Sequence, residues 1–381
     1  MSSKSNLSNF TIRNDHNVDE NIRRDISIIE STLKKILIDI EAVYLVGGFG
    51  RGEGSVLLFN SKVIMINDYD IVVLTNIKPS LNLIEKILKI IKNKITIKQI
   101  DITYYSLSDF KNLNKTVYNY DLKYFSKIIY EKKQYLNLIP TIKKNFHLSE
   151  AQLPLEVYLS ALLLSFPEKG NFKKNSKEDI FWIYHQISKS IIGWSMYDLI
   201  KKGCYEASYV ERIKVINKIY VDKHNQHKLT LATKAINFKL KPYFDIKEDL
   251  KILWYDNAEI HLDMIKKEFF NINLLNINIP YVLFKYKLKN ILKFIYGYLF
   301  NKQNYKEYSN LFLSKLFFLM SLQKAGINKK YFNKSLHYLK KIGFEINKEN
   351  NLNQILSFLK QKDPNCKQFL ESIENFADEK K

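Results

Sequence analysis

Three carboxylates are the first residues in this chain whose types and spacing could do chemistry. Asp68 and Asp70 sit two apart in Asn67-Asp68-Tyr69-Asp70, and the apolar run Ile71-Val72-Val73-Leu74 follows at once. Strand alternation puts both carboxylates on one face and Tyr69 on the other. Two carboxylates side by side repel, and one pKa is driven up unless a cation sits between them. Mg²⁺ suits such a pair, because it takes one or two carboxylates together with phosphate oxygens and water. Asp101 stands between Ile100 and Ile102. It completes a set of three if its strand neighbours the strand of Asp70. Three such groups can hold two metal ions and act on an attacking hydroxyl.

A phosphate partner for that metal is suggested by the glycines. The chain has eleven, and five fall in the run Gly47-Gly48-Phe49-Gly50-Arg51-Gly52-Glu53-Gly54, directly after Ala42-Val43-Tyr44-Leu45-Val46. A glycine-poor chain that concentrates glycine here needs bare backbone, and close approach to phosphate is the usual reason. No Gly-Lys-Ser/Thr follows, so this is not a P-loop. The third glycine of the dinucleotide fingerprint is missing as well. Five of the 60 basic residues are Arg, and Arg51 is the one inside the glycine run, well placed for a two-pronged phosphate contact. Taken singly, an Asp-x-Asp pair is more often a solvated turn or strand edge, and roughly half of such glycine runs are only turns. The combination of strand, glycine turn, strand with paired Asp, helix, and strand with lone Asp is far more specific.

The elements that must position these groups read as follows. Residues 20–40 carry Ile22, Ile26, Ile29, Leu33, Ile36, Leu37 and Ile40 at helical spacing. Ala42–Val46 is a buried strand, Ser55–Asn67 an irregular or hairpin connection, and Asp68–Thr75 a second strand. Ser80 caps a helix to about Lys94, and Ile95–Tyr105 is a third strand. Ile128–Tyr130 could add a short one. From Ser149 onward the chain reads as long helices near 150–166, 176–203, 207–223, 245–270, 280–300, 304–325, 329–341 and 364–377. The expected class is α+β: an α/β domain with a small mixed sheet over 20–140, followed by a larger all-α domain over 149–381.

The bulk numbers bound the partners. The net charge is +21, which suits nucleotides, RNA or an anionic surface. Lys is spread along the chain and not gathered in a block, so most of this charge reads as a solvated surface. Two cysteines, Cys204 and Cys366, make no disulfide or zinc framework. Met1 to Asn21 lacks the apolar core of a signal peptide. Tyr281–Phe300 is interrupted by four lysines, so no transmembrane segment is expected, and the cytoplasm is the default location. His224 and His227 lack acidic or Cys partners, and no Ser or Cys is placed for a triad. Lys123 could reach a phosphate, although a surface charge is the simpler reading. Glu53 reads as a carboxylate that caps a helix or pairs with Arg51. Trp182 and Trp194 are most simply core.

Gly47-Gly48-Phe49-Gly50-Arg51-Gly52 and Asn67-Asp68-Tyr69-Asp70-Ile71 resemble the glycine signature and paired-Asp motif of the DNA polymerase beta-like nucleotidyltransferase superfamily. The extended glycine run, with Tyr120-Asp121-Leu122-Lys123 and Tyr205-Glu206-Ala207-Ser208-Tyr209-Val210-Glu211-Arg212, is similar to a bacterial branch of it. The resemblance covers roughly residues 20–110. It implies Mg-dependent transfer of a nucleoside monophosphate from an NTP to an acceptor hydroxyl. Asp68, Asp70 and Asp101 would bind two Mg²⁺ ions, and Asp101 could serve as base. Gly47, Gly48, Gly50 and Arg51 would meet the nucleotide. Gly48 stands where the family has Ser, and Ser55 is the candidate to replace that hydroxyl. The acceptor could be a small molecule, a protein or RNA. Two other readings stand beside this one: a metal-dependent glycosyltransferase using Asp-x-Asp, and a non-catalytic subunit of the same fold.

Overall fold

The computed structural model describes residues 9–270 apart from 60–61, 97–98, 168–170, 173–175 and 223–224. Beyond 270 it describes 311, 314–316, 318–319, 321–323, 326–327, 329–341, 344 and 352–362. The helices expected at 280–300 and 364–377, and most of the one at 304–325, lie outside the described residues.

The chain is α+β with a small mixed sheet and many helices. Helix α1 (His16–Ile36) starts where the Asp15 carboxylate accepts from the Val18 amide. Val18, Ile22, Ile26, Ile29 and Leu33 form its buried stripe. Strand β1 (Ile40–Leu45) leads into a one-turn helix, α2 (Gly47–Gly50). The Ser55–Asn67 connection is a hairpin of β2 (Val56–Phe59) and β3 (Lys62–Met65). Strand β4 (Tyr69–Thr75) and helix α3 (Leu81–Lys92) follow, the helix capped by Ser80 as its sequence demands. Strand β5 (Ile100–Ser106) begins five residues later than periodicity suggests. The loop before it is held instead by Asp25 on α1, which accepts from the Thr96 amide. Two short helices, α4 (Leu107–Lys111) and α5 (Val117–Phe125), precede β6 (Lys127–Glu131).

The sheet order is β5-β4-β1-β6. β4 and β5 run parallel, while β1 is antiparallel to both β4 and β6. Both faces are covered, so its central strands are apolar throughout. Val43, Leu45, Ile71 and Val73 pack with α1 and α3 on one face. Ala42, Tyr44, Val72 and Leu74 belong to the other face's core, which continues into the helices after residue 147. Those helices are α6 (Leu148–Leu164), α7 (Lys177–Lys201), α8 (Tyr209–Ile219), α9 (Gln226–Leu240) and α10 (Leu250–Phe270). Further helices span Lys329–Lys340 and Leu352–Lys362. No described helix is long and apolar enough to cross a membrane.

Candidate active site

The parallel pairing of β4 and β5 sets Asp70 directly opposite Asp101, and Asp68 immediately precedes β4. One carboxylate oxygen from each of Asp68, Asp70 and Asp101 lies within 4.8 Å of the others. Tyr69 points to the opposite face, where its hydroxyl donates to Asp25 Oδ2 at 3.3 Å. Asp101 is exposed, and Asp68 and Asp70 are half-buried. Burial raises the Asp70 carboxyl well above the usual range, and the charges of Asp68 and Asp101 push it further; Arg51 and Lys239 oppose the shift. Three oxygen donors repelling one another at this separation fit a hard divalent cation in chemistry and spacing.

The glycine turn lies against this cluster. Gly47 has φ +64°, and a Cβ there would stand 1.9 Å from Asp70 Oδ2. The backbone is therefore bare where the carboxylate passes. The Val46 amide donates to the Asp70 carbonyl at 2.9 Å, locking turn to strand. At Gly48 a Cβ would meet Asn67 Oδ1 at 3.2 Å, an approach tight enough to move that amide. Gly50 has a different reason: its missing Cβ makes room for the Leu45 carbonyl, 2.4 Å from where the Cβ would be. Gly54 leaves space for the Phe49 ring in the same way.

A cavity of about 290 Å³ opens between the turn and the helices. Gly47, Gly48, Arg51, Asn67, Asp68 and Asp70 form one wall; Tyr158 of α6, Lys189 of α7, Tyr209 of α8 and Lys239 of α9 are on the other. Neither Gly50 nor Ser55 lines it. Ser55 is buried, and its hydroxyl donates to the Lys239 carbonyl at 2.5 Å. That hydroxyl is bonded to the backbone of α9. The Lys239 amine donates to Asn67 Oδ1 at 3.0 Å, next to Asp68. Burial lowers the Lys239 amine to about 8 against the pull of Asp68 and Asp70. Lys189 is also lowered to about 8, by burial and by the neighbouring Lys239 charge.

No family model, curated protein or solved structure matches this chain. What the site can do therefore rests on its own geometry.

Sequence reasoning missed Lys189 and Lys239. As bare letters they are two lysines among many, and only the placement of α7 and α9 sets them apart. The stretches Tyr120–Lys123 and Tyr205–Arg212, singled out in the sequence, do meet the glycine turn. Arg51 Nη1 binds Asp121 Oδ2 at 3.1 Å, and the Tyr205 hydroxyl donates to the same carboxylate at 3.0 Å. Arg212 Nη2 donates to that hydroxyl, also at 3.0 Å. Glu53 caps a helix as expected, although the helix is α8, more than 150 residues downstream. It accepts from the Ser208 hydroxyl at 2.7 Å and from the Tyr209 and Val210 amides at 2.8 and 3.2 Å. A carboxylate at a helix N-terminus is favoured by the peptide dipoles. The Lys123 amine is bound to the Leu136 and Ile139 carbonyls, so it is not a plain surface charge. His227 pairs with Asp256 at 3.5 Å on the exposed side of α9, and His224 lies outside the described residues.

Proposed function

We propose that this chain is a Mg-dependent nucleotidyltransferase of the DNA polymerase beta-like kind, moving a nucleoside monophosphate from an NTP to an acceptor hydroxyl. The observation that carries this reading is the convergence of Asp68, Asp70 and Asp101 within 4.8 Å, beside a glycine whose Cβ would collide with one of them. Asp68, Asp70 and Asp101 would hold the metal. Bound Mg²⁺ would neutralise charge on the α-phosphate and ease deprotonation of the attacking hydroxyl.

The chain's own residues supply the rest. Gly47 and Gly48 would offer backbone N–H groups to phosphate oxygens. Lys239, Lys189 and Arg51 line the same cavity and offset the triphosphate charge as pyrophosphate departs. The acceptor oxygen forms a bond to the α-phosphorus. The bond from that phosphorus to the α–β bridging oxygen breaks, and pyrophosphate leaves with the electron pair. Asp101, the most exposed carboxylate of the three, takes the acceptor proton. On this reading residues 20–140 form the catalytic domain, and α6, α7, α8 and α9 wall the nucleotide cavity from the other side.

The test uses the full chain. Thermal shift with each NTP, with and without Mg²⁺, reads binding; α-labelled NTPs read transfer. The expected result is Mg-dependent stabilisation by at least one NTP. Asp68→Asn and Asp70→Asn should abolish transfer with the circular dichroism spectrum unchanged. Turnover that persists in either variant overturns the reading.

A further inference from the structure

A second concavity, about 510 Å³, lies along β5 on the side away from β1. Its volume is in the range of small-molecule sites. Asn112, Asn114, Asn119, Thr103 and Tyr105 line it. Alternation along β5 puts Thr103 and Tyr105 on the same face as Asp101, and Thr103 is two residues, or about 7 Å, further along the strand. Burial raises the Tyr118 phenol on α5, and the charges of Asp70 and Asp101 push it the same way. The groove therefore adjoins the carboxylate cluster on its Asp101 side.

The lining is almost uncharged. Among the described residues Lys78 is its one cation, and one oxygen of the Asp109 carboxylate accepts from the Ser106 amide in a capping box. Asn119 also lines the groove; it is 6% exposed, and its amide nitrogen donates to the Asn114 carbonyl. We infer that this groove holds the acceptor, and that the acceptor is a neutral polyhydroxyl compound of the sugar or cyclitol class. Amide side chains and hydroxyls exchange hydrogen bonds with such a ligand, and the Tyr105 ring offers an apolar face. A polyanionic acceptor such as RNA is disfavoured, because it would meet a single lysine here and the three carboxylates beside it.

The inference rests on the nucleotidyltransferase reading for the word acceptor, and its test keeps the two apart. Saturation-transfer NMR on the full chain uses a mixture of glucose, mannose, ribose, N-acetylglucosamine and myo-inositol. At least one probe should receive saturation from the protein. Asn119→Leu and Asn112→Ala/Asn114→Ala should each lower that signal at least tenfold, while Mg-dependent NTP stabilisation stays at the wild-type value. Absence of any signal, equal signal in the variants, or selective saturation of a short RNA oligonucleotide overturns the sugar-class assignment. Loss of NTP binding in the unaltered chain strikes the nucleotidyltransferase reading alone.

Discussion

At the scale of single residues, Gly47 and Lys239 do opposite jobs in one cavity. Gly47 combines a left-handed backbone, φ +64°, with an Asp70 oxygen 1.9 Å from where a Cβ would be. Gly47→Ala must therefore strain the turn and push the Asp70 carboxylate aside. The expected cost is about 1–2 kcal/mol in urea denaturation, with Mg-dependent NTP stabilisation lost. A variant that binds Mg-NTP as tightly as wild type would contradict the placement of Asp70. Lys239 is 8% exposed and its amine is held against its preference for water. Removing a buried charge of this kind by Lys239→Met should leave stability unchanged or higher. It should also weaken NTP binding by about 10- to 100-fold, the worth of one charge-assisted hydrogen bond. Isothermal titration beside thermal melts separates the two effects; a parallel fall in both would make Lys239 a structural residue only. The three Asp were legible from spacing, because strand alternation and parallel pairing have fixed periods. Lys239 was not, since nothing local distinguishes it from the other lysines.

At the scale of elements, legibility followed how each element is exposed. Helices α1 and α3 have one buried stripe and one wet face, so their period could be read directly. Helix α9 buries Leu231, Ala232, Ala235, Ile236, Phe238, Lys239 and Leu240, which wrap most of its circumference. A helix surrounded by protein loses its amphipathic signature, and no separate helix was expected there. Burial also creates a pH-sensitive joint between α6, α7 and α10. His261 is fully buried; Nε2 donates to the Leu155 carbonyl at 2.7 Å, and Nδ1 accepts from the Ser190 hydroxyl at 2.8 Å. Burial lowers this imidazole from 6.5 to about 4. The folded form thus keeps it neutral while the unfolded chain takes up a proton. The stability tied to it is complete above pH 6.5 and falls away as the pH drops towards 4, by at most about 3 kcal/mol. His185, also buried and lowered well below its ordinary value, acts in the same direction. Urea midpoints measured at pH 7, 6, 5 and 4.5 should decline less steeply for His261→Gln than for wild type. Identical slopes would mean that the imidazole titrates normally.

At the scale of the whole molecule, the glycine turn and the helices are fastened together by buried charge. Arg51 and Glu53 lie two residues apart on the turn. One reaches Asp121 on α5 and, through Tyr205, Arg212 on α8; the other caps α8. Arg51 and Glu53 side chains are 9% and 6% exposed, so these charges persist only because each has an opposite. The apolar core of one sheet face also runs without a break from β1 and β4 into α6, α7 and α10. Together these features predict that the sheet and helices unfold as one unit. All three tryptophans, Trp182, Trp194 and Trp254, are buried in the helices, so their fluorescence reports helical unfolding. Hydrogen exchange at the β1 and β4 amides reports the sheet. In the unaltered chain both probes should be lost at the same urea concentration. Asp121→Asn leaves Arg51 and Arg212 in a buried setting with one fewer counter-charge, at a cost of about 3 kcal/mol or more. If the network is the fastening, that variant should bring the two transitions apart, with the sheet amides and the tryptophan signal melting at different urea concentrations. Transitions that are already separate in the unaltered chain would show instead that the turn and the helices are joined too weakly for Glu53 and Arg51 to hold one against the other.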